Sequence, residues 1–150
     1  MTIAPICRRD VAFTTRDTTV AAAAKLMRQG HVGSLVVVDN LNGGRRVPVG
    51  IITDRDIIVD VVATGLDPAV ITAGDIMSTD LATGRENGDV LETLELMKTR
   101  GVRRLPIVDD QGDLSGIVST DDLLEVLAGE LNGLAKIVAR EQSREAASRK

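Results

Sequence analysis

The chain has 150 residues, 43% of them hydrophobic and 27% charged, with a formal net charge of −4. This composition suits one compact domain or two small intimate ones, and the acidic balance gives no general attraction to nucleic acid or an anionic membrane. Phe13 is the single aromatic residue, so the stacking platforms of single-strand nucleic-acid binders are missing, and the single cysteine, Cys7, allows neither an internal disulfide nor a Cys/His zinc pattern.

The first predicted helix follows Asp17-Thr18-Thr19, which supply capping oxygens ahead of Val20 to Met27, and Gly30 ends it. Leu35-Val36-Val37-Val38 is a short β-branched run of the kind a buried strand needs. Asn42-Gly43-Gly44 marks a turn before a second strand, Val47 to Thr53. Thr53 or Asp54 then caps a helix through Ile57, Ile58, Val61 and Val62, with Gly65 after it. A connector with Gly65 and Pro68 leads to Asp75.

The same plan then recurs. Asn87-Gly88-Asp89 precedes a helix at Val90 to Met97, Leu105-Pro106-Ile107-Val108 is a strand, and Asp110 to Asp113 is a hairpin turn. The next strand reaches Ser119, and Asp121-Asp122 opens the last helix. Val20, Met27, Leu35 and Val38-Asp39 echo Val90, Met97, Leu105 and Val108-Asp109 at a constant offset of 70 (90 − 20). After the hairpin the offset is 66 (116 − 50), so the first copy carries four extra residues (70 − 66) in its Asn40–Val47 turn. The chain therefore divides into repeat one at 3–64, a connector at 65–74, repeat two at 75–128, and a C-terminal extension at 129–150. Repeats of roughly 60 residues bury marginal cores alone, so the two copies are expected to share one. In the extension Leu131, Leu134, Ile137 and Val138 fall on one helical face, and the charged stretch past Arg140 is expected to fray.

The motif Gly50-x-x-Thr53-x-x-Asp56 recurs as Gly116-x-x-Ser119-x-x-Asp122. A strand glycine lets another group approach closely. The hydroxyl sits where a helix N-terminus offers free N–H groups to phosphate, and the carboxylate one turn on can accept hydrogen bonds from a ribose diol. The same residues also suit plain helix capping, so both readings stand. His31 reads as a turn residue. Cys7 has no base beside it for nucleophilic work. Asp54-x-Asp56 and Asp121-Asp122 suit helix caps better than a bare metal site, with Mg²⁺ expected only as a companion of nucleotide phosphate.

These motifs, together with Val102-Arg103-Arg104-Leu105-Pro106-Ile107-Val108-Asp109 and Asp75-Ile76-Met77, make the chain resemble a tandem pair of CBS domains over roughly Ile3 to Ala128. The resemblance implies an α/β (α+β) fold of two pseudo-symmetric β-α-β-β-α repeats packed through their sheets, with a C-terminal helix added. It implies two clefts for an adenosine ligand such as AMP, ADP, ATP or NAD. One cleft would use Asp122 for ribose and Ser119, Thr120, Arg103 and Arg104 for phosphate, with Ala12 and Val32 against the base and Cys7 near the entrance. The other would use Asp56, Thr53 and Arg55, with Met77, Ala82 and Val102 around the base. Arg103-Arg104 corresponds to Gly33-Ser34, so the Asp122 cleft is expected to be the tighter one. The expected function is a non-catalytic, homodimeric sensor acting on an effector protein, in the cytoplasm, with neither a membrane nor nucleic acid as partner. The competing reading is an interaction module with degenerate clefts, against which both Asp56 and Asp122 are retained.

Overall fold

The β-branched segment Ser34–Leu41 (β2) pairs antiparallel with Arg45–Thr53 (β3) in the computed structural model, which describes residues 1–149. A short strand, Phe13–Thr15 (β1), lies parallel to β2 and completes a sheet of order β1-β2-β3. The crossover is helix α1, Val20–Gly30, whose N-cap Thr19 accepts the Ala22 N–H. It closes on His31 in the left-handed region (φ 52°), whose N–H reaches the last carbonyls of the helix. Gly101 does the same job in repeat two at φ 64°, which identifies His31 as the turn residue expected of it.

Repeat two builds the matching sheet from Gly84–Arg85 (β4), Arg104–Val108 (β5) and Leu114–Ser119 (β6), with helix α4, Val90–Arg100, as its crossover. Even the irregularities repeat. The hairpin register slips between Val37 and Val38 in one sheet and between Ile107 and Val108 in the other, 70 positions apart (107 − 37). Each sheet then runs directly into a helix. After β3 come α2, Asp54–Asp56, and a π-helical continuation, Ile57–Val62, where five β-branched residues occupy six positions. After β6 comes α5, Thr120–Ser148.

The core differs from the shared one expected. Two separate clusters form, and each is completed by the stretch that leads into the other repeat. Ile3 and Cys7 are buried with Val90, Met97, Leu105, Ile107, Val118 and Leu123. Ala73 and Met77 are buried with Ala23, Met27, Leu35, Val37 and Ile52. Ala73 belongs to a short helix α3, Ala73–Ile76, in the same lead-in position. Backbone bridges fasten the exchange, Arg8 to Ile117 and Ser78 to Ile51. The exchange solves the small-core problem by reciprocity, since neither repeat is complete without the other's leading residues.

This explains the two motif glycines. A Cβ on Gly50 would stand 2.6 Å from Met77 Sδ, and one on Gly116 would stand 2.8 Å from Cys7 Sγ. The close approach that the glycine permits is therefore that of the exchanged segment. Helix α5 runs unbroken to Ser148, past the fraying expected after Arg140, because residues 139–148 contain strong helix formers and neither glycine nor proline. No helix among the described residues is long and apolar enough to cross a membrane.

Candidate functional site

Both strand-to-helix junctions are built alike. Thr53 Oγ1 accepts the Asp56 N–H (3.1 Å) while Asp56 Oδ2 accepts the Thr53 N–H (2.9 Å). Ser119 Oγ accepts the Asp122 N–H (3.2 Å), and Asp122 Oδ2 accepts from the Ser119 N–H (2.8 Å) and hydroxyl (2.6 Å). These are reciprocal capping boxes, so the capping reading of the motif holds for both copies. Capping uses Oδ2 of each carboxylate and leaves Oδ1 outside the capping box. Each junction is also tied to the start of the hairpin's first strand, by Asp54 N–H to the Gly33 carbonyl (3.0 Å) and Thr120 N–H to the Arg103 carbonyl (2.9 Å).

A cleft opens beside each junction. The Asp122 cleft, about 260 Å³, is lined by Ser119, Asp121, Asp122 and Ile117 from repeat two and by Ala12, His31, Val32, Gly33 and Ser34 from repeat one. Arg8, Asp10 and Arg104 add its other charges. The Asp56 cleft, about 520 Å³, is lined by Ile51, Thr53, Asp54 and Arg55 with Gly101, Val102, Arg103 and Arg104 from the other repeat, and by Gly33 and Ser34. Each cleft thus combines one repeat's junction with the other repeat's β-strand entrance. Gly33, Ser34 and Arg104 border both.

Most residues expected around the Asp122 cleft are brought together there: Ala12, Val32, Arg104, Ser119 and Asp122. Thr53, Arg55, Val102, Gly33 and Ser34 line the cleft at the Thr53 junction, called the Asp56 cleft for its motif, whereas Asp56 itself is held in the capping box by Thr53 and is not part of the lining. Several residues stand elsewhere. Arg103, just before β5, lines the Asp56 cleft and not the Asp122 cleft, whereas Arg104 lines both. Thr120 is turned away, its hydroxyl donating to the Arg103 carbonyl (3.2 Å). Cys7 and Met77 are core residues, 7% and 8% exposed, seated under Gly116 and Gly50. Burial pushes the Cys7 thiol up, opposed by Arg9 and reinforced by Glu86, so the thiol form is favoured. Ala82 packs against the core of repeat two.

Among the lining residues missed at the sequence level is Arg8. Its Nε donates to Asp122 Oδ1 at 3.0 Å. The Asp122 side chain is only 10% exposed, and the Arg8 side chain 70%. Burial raises the Asp122 pKa, but hydrogen bonds from Ser119 and Arg8 and the Arg8 charge outweigh it, leaving the carboxyl below its ordinary value. Position 78 is the equivalent of position 8 (78 − 70), and it holds Ser78. Among the described residues Asp56 Oδ1 has no hydrogen-bond partner in the structure. The signal in the sequence was present, since Arg8 lies one residue after Cys7 as Ser78 does after Met77. Only the exchange of lead-in segments carries Arg8 to Asp122.

The clefts also differ in charge. Arg55, Arg103 and Arg104 against Asp54 give the Asp56 cleft lining +2 (3 − 1), whereas Arg8 and Arg104 against Asp10, Asp121 and Asp122 give the other −1 (2 − 3). Within the motif itself Arg55 corresponds to Asp121 (121 − 66). No group of three or more His, Cys, Asp or Glu side chains that could hold a metal ion occurs among the described residues.

The fold, the repeat and the paired junctions define a CBS-domain pair. The CBS domain model matches residues 3–62 and 73–129, and the chain belongs to this family. It is 40% identical over 126 residues to an uncharacterised protein of Methanopyrus kandleri, covering 84% of this chain and 62% of that one. The chain therefore spans about three fifths of that relative's length. Among solved structures it is similar to Hypoxic Response Protein I with two coordinated zinc ions, at 31% identity and a TM-score of 0.71, covering 83% of this chain and 98% of that one. It is also similar to the CBS domain pair of protein MJ0100 in complex with 5′-methylthioadenosine and S-adenosyl-L-methionine, at 25% identity and a TM-score of 0.72, covering 87% of this chain and 98% of that one.

Proposed function

We propose that the protein is a non-catalytic sensor of an adenosine ligand of the AMP, ADP, ATP or NAD class, acting as a homodimer on an effector protein in the cytoplasm. The observation that carries this reading is the pairing, in each cleft, of a capped helix start with arginine from the opposite repeat, with the motif carboxylate Asp122 in the lining of one of them. A helix N-terminus and guanidinium groups suit phosphate, and a carboxylate oxygen outside the capping box suits a vicinal diol. The adenosine ligands of the MJ0100 domain pair support the ligand class. Val32 and Ala12 in one cleft, and Val102 in the other, offer aliphatic walls for a base in a chain with no Trp or Tyr to stack on it. Mg²⁺ enters only as a companion of the ligand's phosphates, because no cluster of protein ligands is available among the described residues.

The phosphorylated ligand binds tighter in the Asp56 cleft. Arg103 faces that side together with Arg55, so the arginine argument that favoured the Asp122 cleft applies to the other one. The three-unit difference in lining charge is worth on the order of 1 kcal/mol or more at ~8 Å in a water-like medium, about a tenfold preference.

Dimerisation is supported by large apolar side chains left exposed on the helices. Ile58, Val62, Leu124, Leu131, Leu134 and Ile137 are each 59–68% exposed. A surface of this kind is rarely left to water on a monomer.

Equilibrium dialysis with AMP, ATP, NAD and adenosine at millimolar concentration tests the function. Saturable binding that Asp56→Ala weakens is expected. Absence of binding by every ligand would leave the interaction-module reading in its place.

A further inference from the structure

The two carboxylates of the repeated motif differ in one respect that capping does not explain. Asp122 Oδ1 accepts from Arg8 Nε, and both residues line the same cleft, whereas Asp56 Oδ1 accepts from nothing among the described residues. Arg8 reaches this place because the lead-in segment is exchanged between repeats and bridged by its backbone to Ile117. Its equivalent is Ser78, bridged in the same way to Ile51, whose short side chain brings no cation to Asp56. The smaller volume of the Asp122 cleft, about 260 Å³ against about 520 Å³, goes with Arg8 standing in its lining.

We propose that Arg8 is a latch on the Asp122 cleft, which admits a ribose only when the same ligand carries an anionic group. This rests on the adenosine-ligand reading above and adds a selection rule to one of its two sites. A diol that approaches Asp122 competes with the Arg8 guanidinium for Oδ1. Arg8 is 70% exposed at its side chain, so it has room to swing into solvent. Swinging away leaves a nearly buried carboxylate without its counter-charge, which a neutral ligand does nothing to offset. A phosphate offers the displaced guanidinium a new anion, and Arg104 on the far wall shares it. The exchange of one ion pair for another, with the diol entering between, makes the cleft respond to the combination of ribose and negative charge. The Asp56 cleft has no such latch.

The test isolates the Asp122 cleft with Asp56→Ala combined with Arg55→Ala and Arg103→Ala, two arginines that line only the other cleft (the Asp56→Ala protein below), and compares AMP with adenosine by isothermal titration calorimetry, before and after Arg8→Ser. In the Asp56→Ala protein AMP is expected to bind at least about tenfold tighter than adenosine, the size of a charge-assisted hydrogen bond to phosphate. Adding Arg8→Ser is expected to bring the ratio to about threefold or less, with adenosine itself binding better once Oδ1 is free. Arg8→Gln, which keeps side-chain length and removes the charge, should give the same result. An unchanged ratio, or an equal loss for both ligands, overturns the latch while leaving the nucleotide reading intact. Failure of the Asp56→Ala protein to bind AMP, with the wild type binding it, also overturns the latch. Failure of the wild type to bind either ligand removes the nucleotide reading and the latch with it.

Discussion

At the scale of single residues, Gly116 and Asp122 show how one motif serves two masters. Gly116 is held small by Cys7 Sγ, 2.8 Å from where its Cβ would be, and by the Arg8 carbonyl at 3.0 Å. Gly116→Ala is expected to lower the unfolding free energy by about 1–3 kcal/mol through overpacking, read from urea denaturation, with partial recovery when combined with Cys7→Ala. Asp122 is held below the ordinary carboxylate pKa: burial raises it, and the hydrogen bonds from Ser119 and Arg8 more than compensate. The native state therefore binds fewer protons at this site than the unfolded state. Its stabilisation is fully present above the unfolded pKa near 4 and is lost as pH falls through the lower folded value. Asp122→Asn should cost about 1–2 kcal/mol at neutral pH, as loss of a helix cap does, and should flatten the acid limb of stability measured between pH 3 and pH 7. The motif residues Thr53, Asp56, Ser119 and Asp122 were legible in the sequence because capping and ligand chemistry share a spacing. Arg8 and the true side of Arg103 were not, because a residue's neighbours across a fold are not written in its local pattern.

Among the elements, helix and strand identities followed from local physics. The β-branched run at Leu35–Val38, the caps Thr19 and Asp89, and the stop signals at Gly30 and Gly101 lie where the elements begin and end. Two features needed the coordinates. The first is the π-helical continuation at Ile57–Val62, where the Ala63 N–H reaches the Ile58 carbonyl (2.8 Å) in a run crowded by β-branched side chains. The second is the length of α5, which ends at Ser148. Residues 129–149 are all exposed, so the extension contributes little to the core. Truncation after Ala128 is expected to leave the thermal midpoint within about 4 °C of the full chain, the shift that roughly 1–2 kcal/mol produces at this size. A collapse of the midpoint in differential scanning calorimetry would mean that the extension supports the fold after all.

For the molecule as a whole, the exchange of lead-in segments decides both stability and site. Ile3 and Cys7 complete the core of repeat two, and Ala73 and Met77 complete that of repeat one, so each half is stabilised by chain that precedes the other. Removal of residues 1–9 should therefore destabilise repeat two rather than repeat one, with hydrogen exchange accelerating first around Leu105 and Val118. The outer face of the helices makes its own demand. Leu131→Glu with Leu134→Glu places charge in an exposed apolar surface and is expected to shift the molecule to monomer in analytical ultracentrifugation, with the circular dichroism spectrum unchanged. A monomeric wild type would remove the homodimer from the proposed function. The sequence by itself determined that one unit is used twice, where its elements lie, and which motif sits at each junction, because periodicity, capping and turn chemistry act within a few residues. Only the tertiary structure decided that each unit borrows its neighbour's leading segment, that Arg104 borders both clefts, and that Arg8 covers one carboxylate while its counterpart stays open. Those facts depend on which distant segments share a core, and burial, unlike capping, is settled by the whole chain at once.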